Sequence, residues 1–326
     1  MDKFKRKLDE YLQDCNRDHD LHGSILVSYK GEIIINESFG MANYEHHIPN
    51  TPKTKFRIGS ITKSFTAAAI FQLQQQGKLH IEEPISKYLP AFPSGDTISI
   101  YHCLTNSTGI VDFVRLENFW EKTMRLPASI NEVIASVKDL PLQFAPGTKF
   151  GYSNTNYLIL TKILEQVSGE TYASYMKDHI FNPLQMHDTG CDDGVNIVEG
   201  LASGYTFDKK PKHAAYADLS FPLGAYGLYT TVEDLYKWDQ ALMTNELLSE
   251  ASLKTMLEPY QVGYACGWAV SPIHGHTCWN HYGDISGYVN YMMRFPEEEL
   301  TIVFLSNMDT VPVSTIGQII AKLAFR

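Results

Sequence analysis

Strand-forming sequence lies at the two ends of this chain, and helix-forming sequence fills most of the stretch between them. Near the N-terminus, residues 24–29 and 32–39 are rich in aliphatic residues. Lys30-Gly31 between them has the length and the glycine of a two-residue hairpin turn. Near the C-terminus, residues 287–295 and 300–306 flank Pro296-Glu297-Glu298-Glu299 as a second hairpin. This arrangement predicts one sheet assembled from both chain ends, with the helical middle inserted as a second lobe.

The helical segments are read from their periodicity. Phe4, Leu8, Tyr11 and Leu12 repeat at helical spacing over residues 2–15, and Val313, Ile316, Ile320 and Leu323 make one stripe of a final helix. A helical pattern runs from 60 to 76 and stops at Gly77, a residue suited to a left-handed helix end. In the middle, 132–137, 156–168 and 172–180 are the helix candidates, punctuated by Pro141, Pro146-Gly147, Gly169 and Pro183. Thr231 ahead of Glu233 and Asp234 caps a helix that runs to about Met243. No repeat, low-complexity tract or long linker divides the chain.

Composition narrows the partners. With 326 residues the chain can bury a large core, and 44% hydrophobic with 20% charged residues is ordinary for a globular enzyme. A net charge of −10 argues against a nucleic-acid backbone as partner. Lys3, Lys5, Arg6 and Lys7 form a basic cluster, but Asp2, Asp9 and Glu10 interrupt it, as on a solvated helix face. No apolar run reaches the roughly 18 residues of a membrane span. The N-terminus carries no secretory leader pattern, so the sequence as given reads as cytoplasmic, with export after leader removal as the alternative. Cys15, Cys103, Cys191, Cys266 and Cys278 are odd in number and scattered, which gives neither a disulfide framework nor a CxxC pair.

Three short motifs carry chemistry: Ser60-Ile61-Thr62-Lys63, Tyr152-Ser153-Asn154 and His281-Tyr282-Gly283. Ser60 and Lys63 stand three apart on a predicted helix, so their side chains share a face. Ser60 follows Gly59 at the helix N-terminus, where free N–H groups favour developing negative charge. A desolvated lysine has a lowered pKa and can take the serine proton, and the Ser60 N–H can form half of an oxyanion hole. Tyr152 and Asn154 are placed in an extended stretch with both side chains to one side. There the phenol can shuttle a proton and the amide can bind a substrate carbonyl. His281 at a strand end can orient substrate or join the proton network near neutral pH. Gly283 allows a substrate backbone to approach the strand closely.

Each motif has a bland counterpart. Ser174-Tyr175-Met176-Lys177 repeats Ser-x-x-Lys inside an amphipathic helix, and Tyr288-Val289-Asn290 repeats Tyr-x-Asn in a predicted strand. His274, His276 and Cys278 alternate toward one face with His281 close behind, yet the pattern lacks the aspartate of a metallo-β-lactamase site. No metal or other cofactor is therefore expected. His46-His47 and Asn106-Ser107-Thr108-Gly109 are assigned to loops or helix edges, and Phe119-Trp120 either to a lobe's packing or to the cleft.

Taken in order, the motifs resemble the serine β-lactamase-like superfamily, in the branch with class C β-lactamases, D,D-peptidases and related esterases. The resemblance rests on Phe56-Arg-Ile-Gly-Ser-Ile-Thr-Lys-Ser-Phe-Thr-Ala67, Pro146-Gly-Thr-Lys-Phe-Gly-Tyr-Ser-Asn-Thr-Asn-Tyr157, Val167-Ser-Gly169 and Asn182-Pro-Leu184. Later blocks are Gly227-Leu-Tyr-Thr-Thr-Val-Glu-Asp-Leu235 and His281-Tyr-Gly-Asp-Ile-Ser-Gly-Tyr288. It implies an α/β chain of the α+β sandwich type: a mostly antiparallel sheet flanked by helices, plus a helical lobe, with the site between them. The whole chain would be one catalytic domain, with an α/β lobe over about 1–80 and 215–326 and a helical lobe over about 81–214.

By the same resemblance, Ser60 is the acylated nucleophile, Lys63 its activator and Tyr152 the general base or acid. Asn154, His281 and Gly283 contact substrate, and the N–H groups of Ser60 and Asp284 form the oxyanion hole. The segment around Asn106 resembles a family turn that usually has histidine, which implies a structural role for it. Two departures weaken recognition of a substrate carboxylate: His281 replaces the common lysine, and Tyr282 replaces a small hydroxyl residue. Tyr-x-Asn in place of Ser-Asp-Asn, and the lack of Glu-x-x-Leu-Asn, argue against class A. The expected activity is a serine hydrolase on an amide, ester or β-lactam carbonyl. A penicillin-binding D-Ala carboxypeptidase or D-amino-acid peptidase ranks first, then a small-acyl esterase or amidase, then a class C-like β-lactamase. An inactive binding module on the same fold is the outside alternative.

Overall fold

A computed structural model describes residues 2–17 and 21–326. Its main sheet has six antiparallel strands in the order Ala269–Ile273, His276–Ile285, Tyr288–Phe295, Leu300–Ser306, Gly23–Tyr29, Glu32–Phe39. The strand from each chain end that lies innermost pairs with the other, Leu26 opposite Val303, so the two ends do build one sheet. Lys30 and Gly31 both take positive φ (54° and 78°), which is what the tight hairpin turn requires.

Both faces of the sheet are covered. Along Tyr288–Phe295, Val289, Tyr291 and Met293 face the layer made by the terminal helices, Asp2–Arg17 and Val313–Ala324. Tyr288 and Met292 face the opposite core. Ile302 and Phe304 alternate with Val303 and Leu305 in the same way. Double burial explains why these strands read as continuous apolar runs rather than as polar–apolar alternation.

The predicted helix over 60–76 begins as a tight turn, Gly59–Ile61, and continues as Thr62–Gln75, with Gly77 at φ 67° beyond its end. Thr62 through Phe71 are all buried, because this helix is enclosed on every side. It packs on the helix Asn154–Ser168 and on Leu223–Tyr226, and its Phe65 stacks on Trp238 at 4.1 Å. Asn154–Ser168 starts two residues earlier than its periodicity indicates, and Ile130–Ala135 is shifted by two, opened by a Ser129–Glu132 capping box. Thr231 caps Val232–Ala241 as expected, accepting from the Asp234 N–H at 3.2 Å.

Residues 190–213, placed from sequence in the mainly helical lobe, contain short strands and no helix. Gly190–Cys191 pairs with Leu228–Thr230, which also pairs with Phe56–Arg57. Tyr205–Asp208 and Lys210–His213 form a hairpin, and Tyr205 bridges to Met308. Strands of two to four residues are too short to show a period, so the stretch gave no local signal. The edge strand Ala269–Ile273 went unread for a similar reason, since it contains Pro272.

Candidate active site

The site begins with two glycines. Gly59 sits at φ 54°, and a Cβ there would lie 2.5 Å from the Asp284 nitrogen. A Cβ on Gly283 would lie 2.1 Å from the Ile58 oxygen and 3.1 Å from the Ser60 nitrogen. The turn carrying Ser60 therefore lies directly against the strand His276–Ile285. Gly283 makes room for the chain's own turn, not for a substrate backbone as its place in the motif suggests. Asn290 fastens the pair, its Nδ2 donating to the Arg57 oxygen at 2.9 Å and to the Gly283 oxygen at 3.1 Å. The second Tyr-x-Asn pattern is thus structural. The second Ser-x-x-Lys is exposed, with Ser174 donating to Asp178.

Lys63 is fully buried one turn along the helix, and its Nζ lies within hydrogen-bond reach of three oxygens. These are Ser60 Oγ at 2.9 Å, Asn154 Oδ1 at 2.8 Å and the Ala225 carbonyl at 2.8 Å. The Tyr152 and Tyr157 rings lie beside it, 4.9 and 5.4 Å from Nζ to their centres. Burial pulls the lysine pKa down to about 7, against the opposing pull of Asp112 and Asp284. A neutral Lys63 is therefore well populated near pH 7, and its lone pair can accept the Ser60 proton.

Asn106 holds the segment bearing Tyr152 from both sides. Its carbonyl accepts from the Gly151 N–H at 2.8 Å, and its Oδ1 accepts from the Ser153 N–H at 3.2 Å. The structural role read for this turn agrees with those contacts. Burial pushes the Tyr152 phenol well above its usual pKa, the Tyr264 phenol adds to this, and a hydrogen bond with Ser60 opposes it. In the resting site Tyr152 is thus a phenol rather than a phenolate. Asn154 is not in an extended stretch with Tyr152: it is the first residue of its helix. Its amide is already engaged, Oδ1 by Lys63 and Nδ2 by Asp112 Oδ2 at 3.1 Å.

His281 lies inside its strand rather than at the end. Its Nδ1 donates to the Tyr282 carbonyl at 2.6 Å, so its Nε2 accepts from the Tyr264 hydroxyl at 3.2 Å. Burial and the Lys63 charge push its pKa down to about 3, so it is neutral at physiological pH and does not titrate near neutrality. Tyr282, 44% exposed, and the exposed Asp284 stand at the mouth.

Ser60, Tyr152, Asn154, His281 and Asp284 all line one cavity of about 530 Å³. Phe119 and the exposed Trp120 line it too, and Phe119 is at the same time buried in the core against Phe113. The histidines and cysteine weighed as metal ligands point elsewhere. His274 meets the Gln318 carbonyl, His276 pairs with Glu298, and Cys278 is buried in the core. Among the described residues no three His, Cys, Asp or Glu side chains are grouped to hold a metal ion.

Sequence reading missed Asp112 and Tyr264. Asp112 left one trace: a single carboxylate within the apolar run Ile110-Val111-Asp112-Phe113-Val114, where an acid is costly unless partnered.

The beta-lactamase family model matches residues 8–324. The chain belongs to the beta-lactamase family, a family of serine hydrolases. It is 32% identical to the Bacillus subtilis protein named "Putative penicillin-binding protein PbpX", over 92% of this chain and 73% of that one. It is 26% identical to a Staphylococcus aureus protein named teichoic acid D-alanine hydrolase, over 84% and 68%. The solved penicillin binding protein from Bacillus halodurans superposes with a TM-score of 0.83 at 28% identity, over 96% of this chain and 98% of that one. No helix among the described residues is long and apolar enough to cross a membrane.

Proposed function

We propose that this protein hydrolyses D-alanyl-type amides or esters through an acyl-enzyme on Ser60. The hydrogen bond between Ser60 Oγ and the buried Lys63 Nζ carries this reading. Neutral Lys63 takes the Ser60 proton as Oγ attacks the substrate carbonyl, and the N–H groups of Ser60 and Asp284 receive the developing oxyanion. Tyr152 gives its proton to the leaving amine or alkoxide and regains one from the Lys63 ammonium. Water then attacks the acyl-enzyme, losing its proton to the same lysine–tyrosine pair as Ser60 Oγ leaves and is reprotonated.

The D-alanyl preference is supported by the relatives, which include proteins named as penicillin-binding proteins and as a teichoic acid D-alanine hydrolase. The charges around the cavity refine it. His281 supplies no positive charge, while Asp218 and Asp284 line the wall. That balance favours an acyl group bearing a free ammonium over a leaving group bearing a carboxylate. Arg115 also lines the cavity and is what a D-alanine carboxylate would meet if the protein were a carboxypeptidase. Hydrolysis of a D-alanine ester or amide, compared with a peptide ending in D-Ala-D-Ala, separates the two readings. The expected result is faster turnover of the ammonium substrate, abolished in Ser60→Ala. Full activity in Ser60→Ala would remove the whole assignment.

A further inference from the structure

Asp112 lies in the loop before Phe113–Arg115 and is only 4% exposed. Its carboxylate accepts the Asn154 backbone N–H at 3.0 Å on Oδ1 and the Asn154 Nδ2 at 3.1 Å on Oδ2, with the Val114 N–H at 3.5 Å. A carboxylate accepts only, so Nδ2 of Asn154 must turn toward it, and Oδ1 must then turn away, toward Lys63. The reverse orientation would set Nδ2 against the Lys63 N–H groups and Oδ1 against the carboxylate. Asp112 thereby fixes the amide one way round.

The consequence reaches the nucleophile. A neutral amine has two N–H bonds and one lone pair. The Asn154 Oδ1 and the Ala225 carbonyl take the two N–H bonds at 2.8 Å each. The third direction, toward Ser60 Oγ at 2.9 Å, is left for the lone pair. We propose that Asp112 is a positioning residue that acts through the Asn154 amide to aim the Lys63 lone pair at Ser60. This rests on the roles assigned to Ser60 and Lys63 above.

Charge adds a second effect. The groups facing Lys63 are Ser60 on its own turn, the Tyr152 and Tyr157 rings, Asn154, the Ala225 carbonyl, Asp112, and His281 and Asp284 on the strand. Of these, the Asp112 and Asp284 carboxylates hold the lysine pKa up against burial. Removing one of them must let it fall further.

The test is the pH profile of p-nitrophenyl acetate hydrolysis, with Ser60→Ala as the background. Asp112→Asn loses the charge and no longer presents only acceptors to the Asn154 amide, so the acid limb of kcat/KM should move down by about one pH unit and the plateau should fall about tenfold or more. Asn154→Ala keeps the Asp112 charge but cuts the link, so its plateau should fall about tenfold or more with the acid limb no lower than wild type, and adding Asp112→Asn to it should lower the plateau little further. Should Asp112→Asn fail to fold, Asp112→Glu, which keeps the charge but displaces the acceptors, decides the matter: its plateau should fall with the acid limb near the wild-type pH, and little further in the Asn154→Ala background. A wild-type plateau in folded Asp112→Asn, or a plateau loss on Asp112→Asn that is undiminished in the Asn154→Ala background, overturns the proposal. Wild-type activity that does not depend on Ser60 would instead overturn the function on which it rests.

Discussion

Lys63 illustrates how much of the chemistry is decided by the surroundings of one side chain. Burial brings its pKa to about 7, whereas the Tyr152 phenol is pushed far higher. The reactive lysine is the neutral form, so acylation should rise with pH through about 7. It should not fall again through tyrosine ionisation in the ordinary range, which a stopped-flow pH series would reveal. Lys63→Met should slow acylation by about 10²-fold or more, measured as the rate of release of the first leaving group. The Ser60–Lys63 pair was legible because an i, i+3 spacing on a helix fixes a shared face. Asp112 was not assignable, because nothing local says which of many carboxylates will be buried beside that lysine. His281 was legible as a site residue, but its loss of charge comes from burial and the Lys63 field, neither of which a motif contains.

At the scale of elements, the seating of the Gly59–Ile61 turn on the strand His276–Ile285 matters most. Gly283→Ala would force a methyl into the Ile58 carbonyl. It should cost about 1–3 kcal/mol in denaturant unfolding, together with most of the acylation rate, because Ser60 would be displaced. Asn290→Ala removes donors to both Arg57 and Gly283 and should lower stability by about 1–3 kcal/mol, read as a drop in melting temperature. Hairpins and long helices were readable from turn glycines and periodicity. The segment 190–213 was not, because its strands are short and part of their stability comes from distant partners at Leu228–Thr230, Lys55 and Met308. Local sequence carries no trace of such distant pairing.

Across the whole molecule, the site exists only where four distant stretches converge: Ser60 with Lys63, Asp112, Tyr152 with Asn154, and His281 with Asp284. Their order along the chain gave the family, while the convergence itself depends on the sheet formed from both termini. One buried tie holds a flanking helix to that sheet. Arg294 Nη1 donates to Asp239 Oδ2 at 2.9 Å and lies 2.7 Å from Thr301 Oγ1, which bonds the same carboxylate. Arg294→Met leaves Asp239 buried and uncompensated, and should cost about 3–5 kcal/mol in equilibrium denaturation. Replacing both partners with apolar residues should recover much of that loss.

The central claim is that Ser60 is acylated with Lys63 as its base. Its most direct test is an intact-mass time course with p-nitrophenyl acetate at several pH values, followed by peptide mapping. An acetyl group should appear on Ser60, forming faster as pH rises through about 7, absent in Ser60→Ala and slow in Lys63→Met. An acetyl group on another residue at the catalytic rate, or equal labelling of Ser60→Ala, would contradict it.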